Sequence, residues 1–145
     1  MQQGMGDDFR PHVVLLYCER CTAHGVAVIS TAVRSNRCSV KMEMLPCSSK
    51  IEASHLLKII ERGADGVEVV TCPLGACQFL DGNIRAEKRI ECARRYLGEI
   101  GMGADRLGMT RGAELTSVKL MEIAGKRAQA AAPLGANPMK GGNTR

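Results

Sequence analysis

The chain has 145 residues and a mass of 15.6 kDa, enough for one domain with its own core; 45% of residues are hydrophobic and 24% charged. Aromatics at 3% with no Trp argue against stacking platforms for single-stranded nucleic acid, and the net charge of +5, from 20 basic against 15 acidic residues, forms no basic block. The longest apolar runs are too short to span a bilayer and "MQQGMGDDFRP" lacks the layout of a secretory signal, so the expectation is a cytoplasmic protein whose seven cysteines act as ligands, catalysts or core filler rather than disulfides.

After an N-terminal tail, residues 1–11, "HVVLLY" (His12 to Tyr17) is a continuous apolar run, as expected of a parallel strand covered on both faces. "TAHGVAVISTAV" (Thr22 to Val33) reads as a helix, the weakest of the set because of its β-branched residues. "CSVKMEML" alternates, with Cys38, Val40, Met42 and Met44 on one face and Lys41 and Glu43 on the other, the pattern of a half-exposed strand near an edge. "SSKIEASHLLKIIERG" predicts a helix with Ser49 and Glu52 as a capping box, a stripe of Leu56, Leu57, Ile59 and Ile60, and Gly63 as its stop.

"GVEVVT" is the third strand. The helix "NIRAEKRIECARRYLGEI" follows, with Ile90, Ala93, Leu97 and Ile100 at buried spacing. "DRLGMT" is a fourth strand and "ELTSVKLMEIAGKRAQAA" a last helix. The remainder, residues 132–145, is rich in Gly, Pro and Asn and reads as a flexible tail, or one ordered against a partner. Strands alternating with helices over residues 12–131 predict a single α/β domain, flavodoxin/Rossmann-like, with a mostly parallel four-stranded sheet flanked by helices.

The cysteines follow that layout. Cys18 and Cys21 come after the first strand, Cys47 after the second, and Cys72 and Cys77 after the third. Ligands of open parallel sheets bind beyond the carboxyl ends of the strands, so these five thiols are expected to converge on one rim and hold a metal or a cluster. Cys21, Cys47 and Cys77 also fall near expected helix N-termini, where the dipole and unpaired amides favour thiolate. Cys38 and Cys92 are expected to be small core residues.

Spacing leaves the metal open. Zinc accepts four thiolates, whereas a 2Fe-2S cluster needs two ligands on each iron, which the pairs Cys18/Cys21 and Cys72/Cys77 supply, with Cys47 as a fifth candidate or a replacement. A thiol oxidoreductase built on "CERC" and a zinc-stabilised adaptor are the competing functions. Arg85, Lys88, Arg89, Arg94 and Arg95 crowd the helix beginning just after Cys77; Arg85, Lys88 and Arg89 are candidates to meet an acidic partner surface or flavin phosphates, against the simpler reading of a solvated face. His24 and His55 lack metal-ligand spacing, and "GADG" and "GMGADR" are turns rather than dinucleotide loops.

At these residues the sequence resembles the delta (iron-sulfur) subunit family of methyl-viologen-reducing hydrogenase, from about Val13 to Arg111. The shared order is "CERC", "PCSSK", "GADGVEVV", "CPLGACQF" and "GNIRAEKR"; Pro73 and Ala76 replace the family's His and Asp, and Gln78-Phe79 its His-Tyr. The resemblance implies a non-catalytic electron-transfer subunit with one 2Fe-2S cluster at the strand ends, relaying single electrons in a flavin-based electron-bifurcating complex. It further implies a heterodisulfide-reductase-A-like FAD/iron-sulfur flavoprotein on one side. On the other it implies a hydrogenase, formate dehydrogenase, methylenetetrahydrofolate reductase or aromatic-acyl-CoA reductase module.

Overall fold

The computed structural model describes residues 10–18, 32–34, 38–45, 52–71 and 82–139. Strand β1 (His12–Cys18) lies at the centre of the sheet, which explains its unbroken apolar run: Val13, Leu15 and Tyr17 join the core on one side and Val14 and Leu16 the core on the other. With β2 (Ala32–Arg34), β3 (Ser39–Leu45), β4 (Gly66–Thr71) and β5 (Leu107–Arg111), the strand order is β2-β3-β1-β4-β5. The pairings β3–β1, β1–β4 and β4–β5 are parallel, and β2 runs antiparallel to β3.

Among the described residues three α-helices cover the sheet: α1 (Ala53–Glu61), α2 (Gly82–Glu99) and α3 (Ser117–Ala131). Leu120, Ala124 and Ala128 of α3 pack in one core with Val13, Leu15, Val40 and Met42. On the opposite face Leu56 and Ile60 of α1 and Ile90, Ala93 and Leu97 of α2 pack with Val14, Leu16, Val67, Val69 and Leu107. The α/β class and the mostly parallel sheet follow the sequence expectation, with β2 added as an antiparallel edge.

Helix ends obey local chemistry. At the end of α1, Gly63 takes φ +116°, its N–H donates to Ile60 O at 2.9 Å and Ala64 N–H to Ile59 O at 3.4 Å. At the end of α2, Gly101 takes φ +85°, donating to Gly98 O at 3.2 Å while Met102 N–H donates to Leu97 O at 3.0 Å. Both are Schellman closures, which need a left-handed residue that glycine adopts without strain. Thr116 caps α3 by accepting from Lys119 N–H at 3.3 Å.

Several local expectations are corrected. The helix expected over Thr22–Val33 reaches into β2, where Val33 pairs with Val40; the rest of that stretch lies outside the described residues. The β-branched Val33 suits this strand pairing better than a helix. The capping box also fails, since Glu52 itself occupies the N-cap of α1 without a side-chain cap bond; Ser49 lies outside the described residues. Leu56 and Ile60 are fully buried while Leu57 and Ile59 are partly so, because a nine-residue helix turns only a narrow stripe inward. Met44 is 51% exposed although its neighbours Val40 and Met42 are buried, and Ile100 is exposed because it falls on the turn after α2.

The chain from Ala132 to Met139 is not a loose tail. Arg106, 1% exposed, donates from Nη2 to Gly135 O at 3.1 Å and Leu134 O at 3.3 Å, and from Nη1 to Asp65 O at 3.0 Å. Asn137, 2% exposed, donates from Nδ2 to Ile60 O at 2.6 Å and Ala64 O at 2.7 Å, and its N–H donates to Asp65 Oδ1 at 2.8 Å. Asp65 Oδ2 in turn accepts from His12 N–H at 2.7 Å. This polar knot seals the edge of the sheet where β1 and β4 begin. Composition suggested disorder; two buried polar side chains supply the order.

Candidate metal centre at the strand ends

At the opposite edge of the sheet the parallel strands end, and in the sequence the candidate thiols stand at or after those ends. In the β1–β3 register Cys18 pairs with Leu45, and in the β1–β4 register Tyr17 pairs with Val70, so β1, β3 and β4 finish level. Neighbouring strands lie about 4.8 Å apart, which puts the ends of β3 and β4 within about 10 Å of each other across Cys18. The chain runs from β1 leftward to β3 and then rightward to β4, so the space beyond β1 and β4 is the topological switch point of the sheet. Parallel α/β sheets hold ligands at that point, because adjacent connections leave on opposite faces.

Cys18 is the last residue of β1, 1% exposed, in the apolar cluster that also holds Tyr17, Val70 and Leu120. Burial pushes the Tyr17 phenol above its ordinary value near 10. Cys21, Cys47, Cys72 and Cys77 lie outside the described residues. Their anchors are described: Cys72 directly follows Thr71, the last residue of β4, and Cys47 stands two residues after Leu45, the last of β3. Cys77 precedes Gly82, where α2 begins. Among the described residues no three potential ligands come together.

A thiolate-bound cluster or zinc fits the donor set. A cysteine ends the central strand, and two neighbouring strands finish at the same level with cysteines one and two residues further along the chain. The two remaining thiols are set apart. Cys38, 5% exposed, precedes β3 at the far edge of the sheet, about 23 Å along the strand from Leu45. Cys92 is exposed on α2, two positions beyond the inward-facing Ile90, and so is not the core residue expected.

On α2, Arg85 and Lys88 are exposed and Arg89 is half-buried. Arg94 has a separate task, donating from Nη1 to Leu107 O at 2.5 Å and lying 3.9 Å from Asp105 Oδ1. His55 is exposed on α1, as a helix-surface residue should be, and His24 lies outside the described residues. No helix among the described residues is long and apolar enough to cross a membrane.

Three residues of β4 and β5 have no counterpart in the sequence expectations. Glu68, 2% exposed in the middle of β4, accepts from Arg127 Nε of α3 at 2.7 Å and from the Thr110 hydroxyl. Gly108, paired with Glu68 in the sheet, leaves the space this needs: a Cβ there would collide with the Arg127 guanidinium. Arg111 ends β5 beside Thr71. A single carboxylate inside the otherwise apolar "GVEVVT" was the signal for the first; Arg111 left none.

The fold defines a class: a small α/β protein with a mostly parallel sheet in the order β2-β3-β1-β4-β5 and helices on both faces. The chain belongs to the family of the delta subunit of methyl-viologen-reducing hydrogenase, whose family model matches residues 13–135. It is 30% identical over 129 residues to the iron-sulfur (D) subunit of the vhu F420-non-reducing hydrogenase of Methanocaldococcus jannaschii, covering 88% of this chain and 96% of that protein. The corresponding protein of Methanococcus voltae is 29% identical over 130 residues, 90% of this chain and 97% of that protein. A stretch of 97 residues, 67% of this chain, is 28% identical to 12% of the A-type subunit of ferredoxin:CoB-CoM heterodisulfide reductase from Methanosarcina mazei.

Proposed function

We propose that this protein is a non-catalytic electron-transfer subunit holding one 2Fe-2S cluster through Cys18, Cys21, Cys72 and Cys77, with Cys47 as a fifth candidate or a replacement. The observation that carries the reading is the level ending of β1, β3 and β4, with Cys18 at the tip of the middle strand. Family membership supports iron over zinc, since the similar proteins of Methanocaldococcus jannaschii and Methanococcus voltae are named iron-sulfur subunits. A bound 2Fe-2S cluster supplies a centre that gains and loses one electron at a time. The chain's own part is to bring thiols from three strand ends together, hold Cys18 away from water and place the α2 N-terminus, with its partial positive charge, at the same rim.

The partners follow from the same likeness. The stretch shared with the heterodisulfide reductase of Methanosarcina mazei supports a heterodisulfide-reductase-A-like flavoprotein as one neighbour. The hydrogenase relatives support a hydrogenase as the other, with formate dehydrogenase, methylenetetrahydrofolate reductase or aromatic-acyl-CoA reductase modules as alternatives, in a bifurcating, cytoplasmic assembly. Arg85, Lys88 and Arg89 form the docking edge nearest the thiols, where a negative partner surface or flavin phosphates would be met.

Anaerobic purification tests the cluster directly. Brown protein with equal iron and inorganic sulfide, and absorption bleached by dithionite, is the expected result; zinc without sulfide, or neither, overturns it. Serine at Cys18, Cys72 or Cys77 is expected to lose iron from folded protein, and serine at Cys47 to show whether that thiol is spare. Cys38→Ser and Cys92→Ser are expected to keep the iron. Loss of iron from either folded control would move the ligand assignment elsewhere.

A further inference from the structure

Strand β5 is an outer strand: among the described residues it pairs with β4 on one flank and with no strand on the other. The main-chain groups of successive residues point to alternate flanks of a strand. Gly112 N–H donates to Thr71 O at 3.0 Å, so Gly108, Thr110 and Gly112 serve β4, while Leu107, Met109 and Arg111 turn their N–H and C=O outward. Leu107 is already engaged there, its N–H donating to Ala104 O and its carbonyl accepting from Arg94 Nη1 at 2.5 Å. The N–H and C=O of Met109 and Arg111 have no partner among the described residues. A cleft of about 300 Å³ lies along this flank, lined by Glu87, Glu91 and Arg94 of α2 and by Met109 and Arg111 of β5. An open flank of this kind is a template for another strand.

We propose that this flank receives the same flank of a second copy of the chain, the two β5 strands running antiparallel about a two-fold axis at Thr110. In that register Met109 lies opposite Arg111 of the second copy, and Arg111 opposite its Met109. Both are pairs that exchange two main-chain bonds, so every free group on the flank is satisfied, and Thr110 meets its own copy in the pair that exchanges none. Arg94 and Ala104 hold Leu107 out of the ladder, which stops the register from sliding. Charge is self-complementary in the same register. Helix α2 runs antiparallel to β5, with Glu87 bonded to Arg111 and Arg94 to Leu107. Glu91, about 6 Å along the helix from Glu87, therefore stands beside Met109, which lies about 6.6 Å along the strand from Arg111. Glu91 is exposed and has no ion pair among the described residues, while Arg111 gives Glu87 only its Nη2. Setting Met109 opposite Arg111 of the second copy brings Glu91 to that guanidinium, and symmetry repeats the pair.

So short a ladder makes a weak dimer that forms as concentration rises. Sedimentation and light scattering of the anaerobically purified full-length protein are expected to show the 15.6 kDa chain doubling its mass between micromolar and millimolar concentration. Hydrogen exchange of the Met109 and Arg111 amides is expected to slow over the same range, while that of Thr110, already bonded to β4, stays constant. Glu91→Arg turns two attractive pairs into repulsive ones and is expected to raise the dimer dissociation constant about tenfold, with Glu91→Gln between it and wild type. Both variants change an exposed side chain, so the monomer is expected to melt as wild type does. A chain that stays monomeric throughout the range overturns the inference. So does a dimer that ignores Glu91→Arg and leaves the Met109 and Arg111 amides unchanged, which assigns the contact to another face. Slowing of these two amides only in the presence of co-purified proteins gives the flank to a partner's strand and equally ends the second-copy reading. None of these readouts depends on iron content, so their failure and that of the cluster reading are separate.

Discussion

Arg106 leads the fully buried side chains, and its guanidinium spends every direction on carbonyl oxygens: Met102 O at 3.0 Å through Nε, Asp65 O through Nη1, and Leu134 O and Gly135 O through Nη2. Burial lowers its pKa while the Asp65 carboxylate raises it, and a guanidinium stays protonated throughout. Truncation takes this donor from the carbonyl oxygens of Asp65, Met102, Leu134 and Gly135. Arg106→Met is therefore expected to reduce the unfolding free energy by about 3 kcal/mol in urea titrations. Asn137→Ala is expected to cost about 2 kcal/mol, because Ile60 O and Ala64 O each lose a donor. Tyr17 gives a pH prediction: its folded pKa lies above the ordinary value, so its contribution is complete below about pH 10 and is lost as pH rises further. Wild-type stability is expected to fall in that alkaline window, and Tyr17→Phe to flatten the fall. An equally steep decline in the variant would assign the effect to other groups.

At the scale of elements, α2 has two separable faces. Ala86, Ile90, Ala93 and Leu97 recur three and four residues apart and are buried against the sheet, while Arg85, Lys88, Arg95 and Tyr96 look outward. Exposed substitutions of this kind change stability by no more than about 0.5 kcal/mol. The double variant Arg85→Glu, Lys88→Glu is thus expected to melt within about 2 °C of wild type yet to lose co-purification with its partner proteins. Unchanged assembly and turnover would return this helix face to the solvent. The apolar spacing of α2 was readable beforehand because 3.6-residue periodicity is a local property. The exposure of Cys92 and Ile100 was not, since each depends on where the helix stops and which way it rolls against β4 and β5.

For the whole molecule, the two edges of the sheet differ in kind. The edge where the strands begin is closed by Asp65, Arg106 and Asn137 using hydrogen bonds alone. At the edge where they finish, Cys18 ends β1, and the proposed cluster would cross-link it to cysteines that follow the ends of neighbouring strands in the sequence. A cluster that binds only the folded chain stabilises it by mass action. Iron-loaded protein is accordingly expected to melt about 5–10 °C above chelator-stripped protein, an interval that corresponds to about 2–3 kcal/mol for a domain of this size. Equal melting temperatures in loaded and stripped samples would mean that the metal does not bridge the strand ends.

By itself the sequence determined the strand–helix alternation, the near-correct spans of β1, β3, β4, α2 and α3, and the position of cysteines just past strand ends. Those features rest on periodicity, turn chemistry and neighbour identity within a dozen residues. Only the tertiary structure decided that β2 pairs as an antiparallel edge, that residues 132–139 are bound rather than loose, and that Arg111 stands beside the strand leading to Cys72. Each of these depends on spatial partners, most of them dozens of positions away, such as Asn137 with Ile60 or Arg111 with Thr71. Burial and hydrogen-bond satisfaction operate on distance in space, which local pattern does not encode.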